Sequence, residues 1–574
     1  MADDHKQSEG VLGEDPFEGM DTEWIERQLE DEAELKLESL GDDPFDDVSM
    51  DWLEEDGPIL RLAPEETKLV LDEFEADLDL APAQQPPLNA MDKVVARQTP
   101  EPTPVPIEEK PLSPPEEALP VEITPRAGRS RPSAVFHFPI DFRWGVAVSA
   151  HQVEGDNTNN DWWAWEQEAG RVEQGHTSGL ACDWWRNAEA DFDRAAELGV
   201  KALRLSIEWS RVEPRAGVID DAAIQRYAQM LQGLKDRGIE PMVTLHHFTN
   251  PRWLADQGGW EDASTPDLFA QYVRRVVESL GKYVDLWCTI NEPNIYSYKG
   301  YVEGLFPPGK KDLKAALRVY RNMLAGHAAA YRQIHDIQDH ARVGLAHNMR
   351  IFDPANPDSI LDRRLARMTD RLFNQAALTA LAKGLWLPPL GFGLAWGLRH
   401  TLDWIGLNYY TRDLVAFTRG QPRFTRFLHA KDAELLDGGY GEFYPRGLSR
   451  LLERLGRLDL PIYITENGIP DDDDDQRPRY ILAHLHQMWR ALQNNHRVMG
   501  YYHWSLVDNF EWAEGWTPRF GLIGLDPKSQ ARSSRHSARL YGDIIAANAI
   551  TTRHIDSYAP ELRTQILPAR GTEE

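Results

Sequence analysis

Apolar and polar positions follow two regimes along the chain. Up to residue 134, short apolar groups are scattered among acidic and proline-rich stretches with no sustained period. From about Val135, compact apolar or β-branched runs bounded by turn residues take over and read as buried strands. They are Phe142–Ser149, Ala202–Ile207, Pro241–His247, Leu286–Asn291, Val343–His347, Trp404–Asn408, Ile462–Glu466 and Gly500–Ser505. Apolar residues at helical spacing lie between several of them, in Ala188–Leu198, Asp221–Arg237, Phe269–Leu280 and Leu313–His335. The first three stop at Gly199, Gly238 and Gly281, and glycine is the usual helix terminator. Eight strands with helical crossovers predict an α/β fold, a (β/α)8 TIM barrel with long loop insertions, over residues 135–560. Residues 561–574 are expected as a flexible C-terminus. An open doubly wound sheet would want a glycine-rich phosphate turn, and neither GxGxxG nor GxxxxGKS/T occurs.

The first regime divides in two. Residues 1–80 carry 29 acidic against 5 basic side chains, a net of −24 out of the chain's −30. Low hydrophobicity and self-repulsion argue for a disordered tail. Trp24, Ile25, Leu29, Leu35 and Leu37 could line one face of a transient helix, so docking on a protein partner or on the chain's own surface is the sharper alternative. Residues 81–134 hold 13 of the 38 prolines and read as a stiff, extended linker. The remaining body is nearly balanced, with 63 acids and 57 bases, so its charge points to neither nucleic acid nor an anionic membrane. Two cysteines, Cys182 and Cys288, are too few for a disulfide framework or a zinc cluster. Without a signal-like start or a transmembrane-length apolar run, a cytoplasmic, soluble protein without membrane insertion is expected.

Chemistry gathers where the strands end, on the rim that holds the active sites of such barrels. The first strand runs into His151-Gln152-Val153-Glu154. The second contains Arg204 and ends at Glu208-Trp209, and the third ends in His246-His247-Phe248. The fourth ends in Asn291-Glu292, the sixth in Asn408-Tyr409-Tyr410, the seventh in Thr465-Glu466-Asn467. The eighth ends in His503-Trp504, with Glu511-Trp512 just beyond. Amides and carboxylates suit a ligand rich in hydroxyls, and indoles suit the C–H faces of a sugar ring. Glycoside hydrolysis needs a carboxylic acid at the leaving oxygen and a carboxylate near the anomeric carbon, roles that Glu292 and Glu466 can fill from opposite sides of a mouth. A separation of about 5–5.5 Å would give retention and a wider one inversion. Arg204 is placed to keep Glu466 ionised, while Glu292 needs a raised pKa to act as an acid. Glu154 and Glu208 are expected to pair with barrel arginines, His246 to pack in its strand, and Cys288 to fill core.

The stretches FRWGVAVSAHQVEG, RLSIEWSRVEP, TLHHFTNPRWL, CTINEPN, DWIGLNYYTR, YITENGI and YHWSLVDNFEWAEGWTPRFGLI together resemble glycoside hydrolase family 1, the β-glucosidase family, across about residues 138–545. The resemblance implies Glu292 as acid/base and Glu466 as nucleophile of a retaining double displacement. Asn291 would bond the sugar 2-hydroxyl, and Tyr410 would orient Glu466. Gln152, His247, Trp504, Glu511 and Trp512 would grip the other hydroxyls and the ring's underside, Arg204 and Asn408 would complete the floor, and Phe520 would flank the 6-position. It implies no cofactor and no metal, and a small-molecule β-glycoside or oligosaccharide as substrate. The intact Glu511-Trp512 pair favours a neutral over a 6-phosphorylated sugar. Transglycosylation from the same site and a non-catalytic glycan-binding scaffold are the alternatives. His246-His247-Phe248-Thr249-Asn250-Pro251 departs from the family's usual third-strand motif. Asp471–Asp475 is expected to be a solvated loop rather than a calcium site.

Overall fold

The computed structural model describes residues 133–419 and 424–567; the acidic tail and nearly all of the proline-rich linker lie outside them. Eight parallel strands close into a barrel in chain order: β1 Arg143–Ala147, β2 Ala202–Ser206, β3 Glu240–His246, β4 Leu286–Asn291, β5 Arg342–Asn348, β6 Trp404–Asn408, β7 Ile462–Asn467 and β8 Val498–Trp504. Every strand expected from the sequence is present, its ends moved by at most two residues. The long helices are α1 Trp184–Glu197, α2 Asp221–Asp236, α3 Thr265–Leu280, α4 Leu313–Ile337, α5 Ile360–Asp370, α6 Arg446–Gly456, α7 Arg477–Gln493 and α8 His536–Ala547. None of the described helices is long and apolar enough to cross a membrane.

Local chemistry sets the helix ends. Asp220 caps α2 by accepting from the backbone N–H groups of Ala222 and Ala223, and Asp312 caps α4 by accepting from Ala315. Gly199 and Gly238 follow α1 and α2 at φ of +77° and +68°, as their terminator role requires. Gly281 differs. Its φ is −56°, and the chain runs on into a 3-10 turn over Gly281–Tyr283. Space favours glycine there, because a Cβ would sit 3.3 Å from Gln338 Oε1.

The barrel interior is filled, not hollow. Met242, Trp404, Tyr463 and Tyr502 pack inside it against Ala147, Ala202 and Ala346. Large rings fit because small residues face them: a Cβ on Gly344 would lie 2.4 Å from the Trp404 ring and 2.5 Å from its carbonyl. This plug leaves the other end of the barrel, at the strand C-termini, as the open mouth.

Two insertions enlarge that rim. Ile351–Pro354 follows β5 and pairs in parallel with Arg412–Phe417, which follows β6; Thr425–Leu428 adds an antiparallel edge. Helix α5 packs Leu365 and Ala366 onto Val415 of this small sheet. The acidic run Asp471–Asp475 is not simply a solvated loop. Asp471 is buried and accepts from the backbone N–H groups of Asp474, Gln476 and Arg477 at 3.0, 3.0 and 2.7 Å. Asp474 binds Arg477 and Ser537, so the run ties the start of α7 to α8. At the C-terminus, Leu562 and Ile566 are buried, so the packed body extends past residue 560 where the sequence placed its end.

Gly344→Ala is expected to cost about 1–3 kcal/mol, since backbone as well as ring blocks the new methyl. A lowered unfolding midpoint checks this; an unchanged midpoint would mean that Trp404 has room to move.

Candidate active site

Glu292 and Glu466 reach the mouth from opposite sides of the barrel. Glu466 extends from the end of β7 and is 4% exposed. Glu292 follows β4 at φ +47° and ψ +60°, a left-handed conformation that costs a branched-chain-free L residue of order 1 kcal/mol or more. Its backbone N–H is held by Ala346 O at 2.8 Å, and Pro293 begins the next helical turn. These constraints turn the side chain inward, where Glu292 is 6% exposed.

A continuous chain of hydrogen bonds joins the two carboxyls. Arg204 donates from Nη1 to Glu466 Oε1 at 2.5 Å and from Nη2 to Asn291 Oδ1 at 2.6 Å. Its Nε donates to Thr244 Oγ1 at 3.0 Å, which fixes the guanidinium from behind. Asn408 donates from Nδ2 to Asn291 Oδ1 at 3.1 Å and to Glu292 Oε1 at 2.7 Å. Thr465 Oγ1 donates to Asn408 Oδ1 at 2.6 Å and so fixes that amide's orientation. Tyr410 OH donates to the other oxygen of Glu466, Oε2, at 2.6 Å.

The carboxyls therefore differ electrostatically. Burial, with the Glu466 charge second, raises the Glu292 pKa from 4.5 to about 7, although Asn408 and Asn348 pull it down. That rise corresponds to about 3 kcal/mol against its ionised form. Glu466 has a direct guanidinium partner and Glu292 does not. For Arg204, burial is the largest single influence and opposes the charge, but Glu466, Cys288 and Glu292 together outweigh it and the pKa is raised. Tyr410 is raised by burial and then by Glu466, so it stays a neutral donor. Up to neutrality Glu292 is thus a carboxylic acid, set beside a Glu466 that Arg204 binds directly.

A second cluster adjoins the first. Gln152 Nε2 donates to Glu511 Oε2 at 2.8 Å, Phe510 O at 2.9 Å and Asn509 Oδ1 at 3.0 Å, while its Oε1 accepts from Ser149. Burial first, then Glu514 and Glu466, raises Glu511 well above the usual carboxylate range. Trp512 packs against Trp162 at 4.8 Å and Phe248 at 5.1 Å, and His247 stacks on it at 6.0 Å with planes 15° apart. Phe248, a departure from the third-strand motif, thus braces Trp512 at its own φ of +71°. Asn291 Nδ2 lies 3.1 Å from His247 Nε2, so the network assigns that nitrogen as acceptor and Nδ1 as N–H donor. Burial, then Arg204, lowers the His247 pKa well below its usual value and keeps the ring neutral. His247 Nδ1, Trp504 Nε1 and Asn509 Nδ2 are buried without a protein partner, an uncommon state that a hydroxyl-rich ligand would relieve. Phe520 sits between Tyr410 at 6.3 Å and Tyr440 at 5.1 Å.

All the site residues singled out in the sequence thus meet in one connected mouth. Glu154 is bound by Arg211 at 2.6 Å and by Tyr227 at 2.8 Å. Glu208 departs from the expectation of an arginine partner: it accepts from the hydroxyls of Ser210 and Thr249, both at 2.8 Å. His246 packs within its strand, bonded by Trp260 Nε1 at 3.0 Å. Asn348 was missed. It ends β5, the one strand whose end drew no polar assignment, and its Nδ2 donates to Glu292 Oε1 at 2.9 Å. Extending that run by one residue beyond His347 would have found it. Among the described residues, Asp437, Asp471 and Asp473 are the group with metal-like spacing, their oxygens within 4.8 Å. They stand outside the glutamate network, and Asp471 is already engaged by three backbone donors.

Residues 135–550 match the model of Glycosyl hydrolase family 1. Beta-glucosidase A of Thermotoga maritima is 32% identical over 443 residues, which cover 72% of this chain and 98% of that protein. A beta-galactosidase of Pyrococcus woesei is 31% identical over 505 residues, covering 72% and 98%. The structure of the Thermotoga maritima beta-glucosidase in complex with glucoimidazole aligns with a TM-score of 0.69 at 31% identity, over 72% of this chain and all of that one.

Arg204→Met strands Glu466 in the barrel, and breaking a buried pair in this way costs about 3–5 kcal/mol. Tyr410→Phe removes one hydrogen bond to a charged group and is expected to cost about 1.5–3 kcal/mol. Comparing both unfolding midpoints with the parent's checks the order; equal losses would deny Arg204 its special place.

Proposed function

The chain belongs to glycosyl hydrolase family 1, and we propose that it hydrolyses terminal neutral β-D-glycosides by double displacement, with Glu466 as nucleophile and Glu292 as acid/base. The β-glucosidases and β-galactosidases among its relatives support β-glycosidase activity of the β-glucosidase type. The observation that carries the assignment of roles is that, of two buried glutamates on one hydrogen-bond chain, Glu466 is bound directly by Arg204 while Glu292 has only amide partners and a pKa raised to about 7.

In the first step a Glu466 oxygen attacks the anomeric carbon while the bond to the leaving oxygen breaks. Glu292 gives its proton to that oxygen, and the sugar is held as an ester on Glu466. Arg204 and Tyr410 hold the attacking carboxylate in place, so little reorganisation is needed when its charge moves into the ester. Once Glu466 is esterified, the charge that helped to raise the Glu292 pKa is gone. Glu292 then ionises more readily and suits its second task, taking a proton from water as the water oxygen displaces Glu466. The product keeps the β configuration.

Asn291 stands between Arg204 and His247, where its amide suits a hydroxyl next to the reacting carbon. Gln152, Glu511 and the unpartnered donors of His247 and Trp504 supply polar contacts for the remaining hydroxyls, and Trp512 supplies an apolar surface. A neutral sugar fits better than a phosphorylated one, because Glu511 would meet a phosphate with a carboxyl group. The glucoimidazole complex of the relative supports a small-molecule ligand for this mouth.

Glu466→Gly is expected to lose about five orders of magnitude in kcat on an aryl β-glucoside. Azide should restore turnover as the α-glycosyl azide, and a β-azide product would overturn the nucleophile assignment. Because Glu292 must be protonated, kcat/KM should fall as pH rises through about 7. In Glu292→Gln this alkaline limb should vanish for a dinitrophenyl leaving group, which departs without a proton; a persisting limb would point to another acid.

A further inference from the structure

Strand β5 sends one polar side chain into the mouth that has no part in the steps derived above. Along Arg342–Asn348 alternate residues share a face. Gly344 and Ala346 line the barrel interior beside Trp404, so Asn348, the next of that set, faces inward where the strand ends. Val343 and Leu345, on the other face, join the larger core outside the barrel. The neighbouring β6 repeats the pattern with Trp404, Gly406 and Asn408, and Asn408 pairs with Asn348 in register. Two amides therefore stand side by side at adjacent strand ends. Both donate to one atom, Glu292 Oε1, Asn348 at 2.9 Å and Asn408 at 2.7 Å. Asn348 is buried and anchored from behind. Its carbonyl accepts at 2.9 Å from Nδ2 of Asn294, two residues past Glu292, so the ends of β4 and β5 hold one another in both directions. Just beyond, Arg350 is clamped by the buried Asn374, which accepts from its N–H at 3.1 Å and donates to its carbonyl at 2.7 Å. The same amide nitrogen of Asn374 donates to Asp370 at 2.6 Å.

We propose that Asn348 is a positioning residue for the acid: together with Asn408 it commits Glu292 Oε1 to accepting, so that the proton passed to the leaving oxygen is carried on Oε2. This rests on Glu292 being the acid, as proposed above. The direction of the donors decides which oxygen is protonated. Thr465 Oγ1 donates to Asn408 Oδ1, which turns the N–H side of that amide toward Glu292. A proton on Oε1 would then meet N–H hydrogens, which have no lone pair to receive it. A carbonyl-type oxygen accepts through two lone pairs, and Asn348 takes the one that Asn408 leaves open. Without Asn348 a proton can settle on Oε1 in that direction, where it is turned away from the bond to be broken. The same contact stabilises the ionised carboxyl and pulls the Glu292 pKa down against burial. Asn348 thus acts twice on one group, by orienting its proton and by keeping that proton transferable. The other charged or titratable groups that act with Glu292 are Glu466 and Arg204, with Tyr410, Glu511 and Arg350 around them. None of them is altered by a change at Asn348.

The ionisation of Glu292 can be followed in the full chain without turnover, from its carboxyl 13C signal, assigned by its loss in Glu292→Gln. In Asn348→Ala that titration should rise by about one pH unit, a tenfold change in the ionisation constant. Asn348→Asp keeps the shape but puts an acid where the donor was, so the rise should be larger, about two units. Either variant alone serves if the other does not fold. The alkaline limb of kcat/KM should move up with the carboxyl. On the plateau below that limb, kcat/KM for phenyl β-glucoside, whose leaving group needs the proton, should fall about tenfold in Asn348→Ala. For the dinitrophenyl glucoside it should stay within about twofold, because that group departs without a proton. An unmoved carboxyl titration, or an equal loss with both substrates, is what a purely structural role would give, and each overturns the proposal. A titration that moves while the kinetic limb stays would uphold the hold of Asn348 on the Glu292 proton and sink Glu292 as the acid, so the two readings fail separately.

Discussion

Arg204 donates in three directions from within the barrel, to Glu466, Asn291 and Thr244, and the organisation of the mouth depends on that placement. A buried guanidinium is costly unless its donors are matched, and here a carboxylate, an amide and a hydroxyl match them. The consequence for Glu466 is a neighbouring positive charge inside low-dielectric surroundings. Glu292 has only neutral amides from Asn348 and Asn408, so burial decides its protonation. Two residues of one type thus acquire different chemistry because one shares its oxygen with an ion and the other with amides.

The barrel makes this asymmetry rigid. Trp404 fills the interior because Gly344 leaves room for its ring, and Arg204 is set on β2 within the same closed sheet. Glu292 is directed inward by a left-handed backbone position that the end of β4 and Pro293 enforce together. Strain at that residue is local, whereas the bonds that hold it run to β5 and β6. Functional geometry in this chain therefore rests on parallel pairing between strands far apart in sequence.

The fold was readable in the sequence because buried strands of a parallel barrel are nearly continuous apolar runs, and all eight stand out against their flanks. The glutamates were readable for the same reason, since each directly ends or follows such a run. Asn348 escaped because its run was closed one residue early, and periodicity fixes a strand's existence better than its end. Gly281 was read as a helix terminator and α3 does end there, but in a right-handed conformation, because a glycine after a helix has the same letter whether it serves conformation or space. Glu208 shows a further limit. Its hydroxyl partners come from residues 210 and 249, and an acid's partner across a fold is not encoded in its neighbours. Asp471 looked like surface because it sits in a run of five acids, yet backbone donors at the start of α7 draw it inward.

These successes and failures divide the mouth into two halves. The half around Arg204, Asn291 and Glu466 is made by strand ends, whose positions the barrel closure dictates, so residue type and order suffice to assemble it. The half beyond Glu292 is made by the insertions after β5 and β6, where α5 lies on a small sheet formed by segments some sixty residues apart. Nothing periodic in the sequence announces that pairing, because each strand is short and half exposed. Chemistry common to a barrel's fold is built where closure constrains the chain. Segments that closure leaves free, such as α5 on its small sheet, are placed by their own packing instead, which is why their arrangement is known only once those contacts are.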